Sequence, residues 1–379
     1  MDIDPPERGL LVEALGLEPA ARVTLLSREP LGEGSVAGFD VTAGDGGTVT
    51  YFVDTSRRVV ARETGMLAGS PDDPDVRVWV HPADPHLPAF AAVAFAHAAE
   101  SLLGRLGIEV TGAPELVVYR AGRRGVLRIP TADGTTWVKA VPPSRVVAIV
   151  DAHRVLARAG VPVPRVRGWS EDGVVVWDAA SGTPAPDAAW TPASLLDAVD
   201  ELRARIASVP LQQRARTRLE RRLDWYDGRL QAVLAGEQAA LASDIVRQIR
   251  ADWRDEEPAG IHGDLHFGQL FLGDDDTITG VIDVDTAGEG APSDDTAAFL
   301  AHAVASALLT PAPRDARVWE LARLALDRWD APQLRARAAT HLLGHALGAV
   351  ELGERDRADR MLRLAASVSR GDLTDRPGA

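Results

Sequence analysis

The residues with the densest chemical potential lie in one block, Ile261-His262-Gly263-Asp264-Leu265-His266-Phe267-Gly268-Gln269-Leu270-Phe271-Leu272. It is followed by Gly280-Val281-Ile282-Asp283-Val284-Asp285. Each polar group has apolar, strand-like neighbours, so each is expected at the end of a rigid element. Several carboxylates in such a block suggest a metal. Magnesium takes hard oxygen ligands and keeps several waters, so one or two protein carboxylates suffice when substrate phosphates supply the rest. A nearby Asp can then accept a proton from an attacking hydroxyl. A second chemistry stays open, because His262, Asp264 and His266 alternate and imidazole suits zinc. That reading needs a third ligand from elsewhere and leaves Asp283 without a task.

The elements around this block set the frame. Residues 1–80 read as a short helix followed by strands, with apolar runs at Val23–Leu26, Val36–Val41 and Val49–Val53 separated by Gly-rich turns. Residues 81–88, HPADPHLP, read as a linker, and Ala89–Leu106 as a helix stopped near Gly107. Strands are then predicted at Glu115–Arg120, Gly125–Ile129 and Thr136–Val141. A helix follows over Ser144–Arg158, and a buried strand over Gly173–Trp177. After Pro192 the chain reads as mostly helical to about residue 251. The strand-and-turn block covers 260–286, helices fill 294–370, and the tail GDLTDRPGA is expected to fray. Domains are expected at 1–110, 111–180 and 181–379.

Composition narrows the partners. The chain has 379 residues and a net charge of -14, which argues against nucleic acid or an anionic membrane as a main partner. With no Cys, disulfides, thiol nucleophiles and Cys-based metal sites are excluded. The acidic, Pro-rich start is unlike a signal peptide, and no apolar stretch is long enough to span a bilayer. A cytoplasmic protein, monomeric or homodimeric, is expected. Of the 41 basic residues only Lys139 is a lysine, and the chain has no Asn. A lone lysine marks a place where a compact point charge serves better than a planar fork, or else is an accident of codon usage.

The segment HGDLHFGQ followed by IDVD resembles the catalytic loop and metal segment of the aminoglycoside phosphotransferase-like branch of the protein-kinase fold. That resemblance implies an α+β, bilobal, protein-kinase-like fold with a small β-rich N-lobe and a helical C-lobe, here behind an N-terminal α/β cap. It implies Asp264 as catalytic base, Asp283 and Gln269 as magnesium ligands, and His262 as a structural support of the loop. Asp295, in PSDDTAAF, matches the family's loop brace; a plain helix N-cap is the other reading. His266 and Asp285 are possible acceptor-facing or supporting residues. Gln269 stands where the family usually has Asn, and Gln at this place is similar to bacterial maltokinases and glucosamine kinases. Lys139 lies on the third strand of the implied N-lobe, where a Lys meets the α- and β-phosphates of ATP. Its usual helix Glu is missing, and Asp151 is the only acid on the Ser144–Arg158 helix. The hinge for adenine would be the Trp177 carbonyl and the Ala179 amide. The implied reaction is ATP- and Mg2+-dependent phosphorylation of a small-molecule hydroxyl: a sugar or aminosugar, an aminoglycoside as the alternative, or none at all if the chain is a non-catalytic nucleotide-binding regulator. An acid-lined acceptor pocket built from the C-terminal helices is expected.

Other signals point elsewhere. Leu31-Gly32-Glu33-Gly34-Ser35-Val36-Ala37-Gly38 has loop-like glycines, but no Lys follows on the next strand, and it reads as a hairpin turn. His341 and His345 are spaced i,i+4 and either face one ligand or pack into their helix. In Tyr119-Arg120-Ala121-Gly122-Arg123-Arg124-Gly125, the implied phosphate-covering turn, Arg123 or Arg124 either touches phosphate or is simply solvated.

Overall fold

The computed structural model describes residues 5–18, 21–44, 46–69, 74–216 and 219–373. The tail from residue 374 lies outside them. The chain divides into two compact units, residues 1–150 with 165–179, and residues 151–164 with 180–379.

The first unit opens with α1 (Pro6–Leu15), which Gly16 closes in a left-handed conformation. Five antiparallel strands follow: β1 (Arg22–Leu31), β2 (Gly34–Thr42), β3 (Thr48–Asp54), β4 (Met66–Gly69) and β5 (Pro74–Val80), in the order β1-β2-β3-β5-β4. The three apolar runs expected as strands lie in β1, β2 and β3. Leu11 of α1 packs with Phe39, Val53 and Val78 beneath this sheet. Strands β4 and β5 complete the sheet beyond those three runs. The Leu31–Gly38 segment is indeed a hairpin turn between β1 and β2.

The helix expected over Ala89–Leu106 is two short ones, α2 (Phe90–Ala94) and α3 (Ala96–Gly104), broken where Phe95 is extended. The break lets each piece turn its own apolar side inward, Phe90 and Val93 first, then Ala99 and Leu103. A second antiparallel sheet is built from β6 (Glu115–Arg120), β7 (Arg124–Thr131), β8 (Gly134–Ala140), β9 (Val166–Ser170) and β10 (Val174–Asp178). Its order is β6-β7-β8-β10-β9, so β8 is the central strand. Between β8 and β9 runs α4 (Pro143–Arg158), whose Val146, Ile149 and Val150 pack on Val175 and Trp177.

Residues 81–88 do more than link the two sheets. The Asp84 side chain is 1% exposed, and its carboxylate accepts from the Gly122 amide at 2.8 Å and the Tyr119 hydroxyl at 2.9 Å. Burial pushes its pKa up, and these donors oppose the shift. His86 Nε2 lies 2.8 Å from Asp54 of β3, which ties the segment to the first sheet. Gly122 has φ +69°, and a Cβ there would meet Leu31 Cδ2 at 2.8 Å, so the β6–β7 turn requires glycine twice over. Arg120 grips Glu29 of β1 with two nitrogens at 2.7–3.0 Å, and Arg123 donates to the Pro30 carbonyl. Arg123 is thus occupied by the first sheet.

The second unit is mostly helical. It contains β11 (Thr183–Pro184), α5 (Pro192–Ala207), α6 (Leu219–Val233) and α7 (Gly236–Asp252). Next come β12 (Ala259–Ile261), β13 (Leu270–Leu272), β14 (Ile278–Val281) and β15 (Gly288–Gly290), then α8 (Pro292–Leu309), α9 (Asp315–Trp329), α10 (Pro332–Glu351) and α11 (Arg355–Ser369). The helical stretch expected from 192 to 251 breaks after Ala207, where Pro210 cannot donate to a continuing helix. Helix α5 starts on a reciprocal Thr191–Ser194 capping pair with Pro192 in its first turn. Helix α8 is apolar on nearly every side and buried accordingly. Its Asp294 pairs with the 3% exposed Arg337 of α10 at 2.9 Å, and Arg337 also donates to the Arg254 carbonyl and lies over the Trp253 ring. No helix of the described residues is long and apolar enough to cross a membrane.

Replacing Asp84 with Ala leaves the Gly122 amide and the Tyr119 hydroxyl without their acceptor inside the protein. We expect Asp84→Ala to lower stability by about 1–3 kcal/mol in urea unfolding, and Asp84→Asn, which keeps one acceptor oxygen, to lose less. Equal stability of Asp84→Ala and the parent would mean that water replaces the carboxylate freely.

Candidate active site

In the second unit, β12 ends at Ile261 and hands the chain to His262-Gly263-Asp264. Two consecutive amides point at one carboxylate: His262 N lies 2.8 Å from Asp295 Oδ2, and Gly263 N lies 2.7 Å from Asp295 Oδ1. Asp295 stands in the first turn of α8, whose N-cap is Ala291, so it braces the loop and is not the helix cap. The loop bends at Gly263, with φ +85°, and a Cβ there would meet the Thr286 carbonyl at 2.7 Å. The His262 ring is fully buried, with Nε2 3.0 Å from the Ile282 carbonyl. Since a carbonyl only accepts, Nε2 carries the proton, a tautomer assigned from its partner. Ile282 also donates its amide to the Gln269 carbonyl at 3.0 Å. The histidine thereby fixes the Asp264 loop to the end of β14, where Asp283 follows.

Asp283 adopts a left-handed conformation, φ 61°. For a non-glycine residue this costs on the order of 1 kcal/mol and recurs at functional sites. Asp285 is buried in the 3-10 turn Val284–Thr286 that follows. Asp264 is partly exposed. Burial raises its pKa above the ordinary Asp value; the His262 and Arg222 charges oppose the shift, and the Asp283 and Asp295 carboxylates add to it. Gln269 is 5% exposed, and its Oε1 accepts from the His266 amide at 3.3 Å. An amide oxygen has two lone pairs, so one is left for a cation.

The donor set suits magnesium. Asp283 and the Gln269 amide are hard oxygen donors, and a cation beside them relieves the like-charge pressure between Asp264 and Asp283. Among the described residues no group of three or more His, Cys, Asp or Glu is disposed to hold a metal. The His266 ring stacks instead on His302 of α8 at 4.4 Å.

In the first unit, Lys139 lies on central β8, opposite Val126 of β7 and Val175 of β10, and is 6% exposed. Trp177 is in β10 and buried, and Ala179 follows the strand, immediately before the chain enters the second unit. Asp151 is exposed on α4.

Beside Asp264 stand helical imidazoles as well as the carboxylate of Asp295 in α8. His302 Nε2 lies 3.9 Å from Asp264 Oδ1, and His341 and His345 of α10 gather around His302. Sequence reasoning missed His302, since a lone His in an Ala-rich helix looks like core. Its place seven residues after Asp295 was the available signal, because i and i+7 share a helix face. Burial is the first cause of a lowered pKa in His266 (to about 4), His302 (to about 2), His341 (to about 3) and His345.

A β-sheet unit with a lysine on its central strand, joined to a helical unit carrying the HGD loop, is the protein-kinase-like fold of small-molecule phosphotransferases. The chain belongs to the phosphotransferase enzyme family, whose sequence profile matches residues 50–341. No curated protein sequence matches it. Among solved structures it is similar to a thermostable mutant of aminoglycoside phosphotransferase APH(4)-Ia in ternary complex with ADP and hygromycin B. There the identity is 17% and the TM-score 0.53, covering 73% of this chain and 99% of that one. A second structure of that enzyme, with AMP-PNP and hygromycin B, gives the same identity, TM-score and coverage. Macrolide 2'-phosphotransferase MphH from Brachybacterium faecium is 19% identical at a TM-score of 0.42, covering 74% of this chain and 99% of that one.

The depressed histidines predict a pH effect. A His whose folded pKa lies below its unfolded value of about 6.5 contributes stability that is complete above that value. The contribution is lost as pH falls through the unfolded pKa toward the folded one, because the unfolded chain then binds more protons. Between pH 6.5 and 5, unfolding is expected to take up about three protons from this cluster, and the urea midpoint to fall accordingly. His302→Asn should remove about one proton from that slope. A midpoint flat over this window would contradict the burial of these rings.

Proposed function

We propose that this phosphotransferase moves the γ-phosphate of ATP to a hydroxyl of a sugar or aminosugar, with Mg2+ as cofactor. The observation that carries the reading is the doubly braced loop, in which Asp295 holds the His262 and Gly263 amides and so presents Asp264 at a fixed place.

Lys139 meets the α- and β-phosphates, and the Trp177 carbonyl and Ala179 amide hold adenine. Asp283 and Gln269 would hold the magnesium ion, and Asp285 would support them. When bound, the ion neutralises charge on the β- and γ-phosphates. Asp264 accepts the proton of the acceptor hydroxyl as its oxygen bonds to the γ-phosphorus. The bond from that phosphorus to the bridging oxygen breaks, and ADP leaves with the bond's electrons. The raised pKa of Asp264 fits a base that must take a proton and release it again. His262 keeps the loop and Asp283 in register. Positioning and charge neutralisation supply most of the acceleration.

A second reading, an aminoglycoside-type phosphotransferase, is supported by relatives of this fold solved with hygromycin B. Net charge and fold do not separate it from the first.

The test is direct. Asp264→Asn should reduce phosphoryl transfer by about 10³-fold or more while ADP affinity stays within a few fold. Lys139→Arg, despite its preserved charge, should lose most activity, because a planar fork does not replace a compact ammonium. Full turnover by Asp264→Asn would sink the assignment of the base.

A further inference from the structure

Four imidazoles gather beside Asp264, and nothing in phosphoryl transfer itself requires them. The His302 ring stacks on His266 at 4.4 Å with 27° between planes. It meets His345 edge-on at 5.0 Å and His341 at 6.3 Å. Its Nε2 stands 3.9 Å from Asp264 Oδ1, too far for a direct hydrogen bond and suited to one hydroxyl shared between the two.

The four rings are packed in protein without being shut off from solvent. Each is half-buried, yet burial is the leading cause of its lowered pKa. Side chains that keep solvent access while surrounded by protein lie on a concave surface. Tyr226 of α6 belongs to the same group. Its ring and hydroxyl press against Gly344, between His341 and His345, where a Cβ would come within 2.7 Å of them. Burial raises the phenol pKa, and the Asp264 charge adds to it.

The charge pattern is selective. Rings 4.4–6.3 Å apart cannot all be cationic, because like charges at that distance in a partly dry site repel strongly. Packed this closely, the cluster carries at most a fraction of its possible charge and offers nitrogen donors, nitrogen acceptors and aromatic faces. Among the charges acting on it, Asp283 bears on His266, while the guanidiniums of Arg222 and Arg357 bear on His341 and His345. Arg357 is paired with Glu354, so an aminated acceptor would bring its ammonium groups toward the guanidinium of Arg222. The carboxylates close by are Asp264 and Asp283, both already committed to the reaction.

We propose that His266, His302, His341 and His345, with Tyr226, form the acceptor recess and select an uncharged, polyhydroxylated acceptor over an aminated one. This deepens the phosphotransfer reading above and rests on it for the identity of the reaction. His302 holds the reacting hydroxyl together with Asp264. His341, His345 and Tyr226 hold the remainder of a neutral mono- or disaccharide through its hydroxyls and its apolar face.

The test uses the full-length protein with ATP and Mg2+ and four probes: glucose, maltose, glucosamine and kanamycin. ADP release gives kcat and KM, and histidine side-chain NMR reports binding independently of turnover. We expect glucose or maltose to shift the His302 and His345 resonances and to be the better substrate by kcat/KM. His345→Ala should raise the neutral-sugar KM about tenfold, with partial rescue by His345→Gln, which keeps a neutral hydrogen-bonding group. His345→Glu should move preference toward glucosamine. If a variant unfolds, sugar-induced shifts of the parent's histidines still decide the matter. Glucosamine or kanamycin turned over in preference, with histidine resonances unmoved by the neutral sugars, overturns the recess and leaves phosphotransfer standing. Neutral sugars that shift the histidines but gain no phosphate leave the recess standing and overturn the reaction. Absence of any shift with all four probes overturns the recess.

Discussion

The carboxylate of Asp295 accepts two consecutive backbone amides, those of His262 and Gly263, and the rest of the site depends on this double bond. The amides lie in a turn that no other secondary-structure element pairs, so without Asp295 they would be buried donors with no acceptor. The carboxylate is itself fully enclosed, and its pKa rises with burial. The two amides, the nearby His262 and the Arg203 guanidinium make its charge tolerable there. Each partner thus needs the other, and the loop has one low-energy arrangement. Charge-assisted hydrogen bonds of this kind are shorter and stronger than neutral ones.

From that point rigidity spreads in two directions. His262 passes it to Ile282, so Asp283 is fixed relative to Asp264. Helix α8 passes it the other way. Asp294, adjacent to Asp295, is paired with buried Arg337 of α10, and His302 lies two turns further along the same helix. The helices that carry the imidazole cluster are therefore referenced to the same few residues as the reactive loop. Breaking a buried ion pair of this type leaves an uncompensated charge, a heavier loss than removing both partners together. The first unit shows the same device in Asp84, which closes the β6–β7 turn from a segment that reads as a linker.

Much of the architecture was legible in the sequence because its signals are local. The apolar runs of β2, β3, β8 and β10, and the helix start at Pro192, follow from periodicity and backbone chemistry. The HGDLHFGQ and IDVD segments expose their chemistry in a dozen letters, and Lys139 stands out as the single lysine. What escaped depends on distance in the chain. Asp84 finds its partners 35 and 38 residues away, and His302 gains meaning only when α10 brings His341 and His345 against it. Phe95 and Pro210 broke helices that apolar periodicity alone would have continued.

The claim most open to direct measurement is that Asp295 holds the reactive loop through both oxygens. Asp295→Asn preserves shape but turns an NH2 toward one of the two amides. We expect turnover to fall about 100-fold or more, with the His262 and Gly263 amides exchanging faster with solvent and the unfolding transition still cooperative. Turnover and amide protection close to those of the parent, in a folded Asp295→Asn protein, would contradict the account.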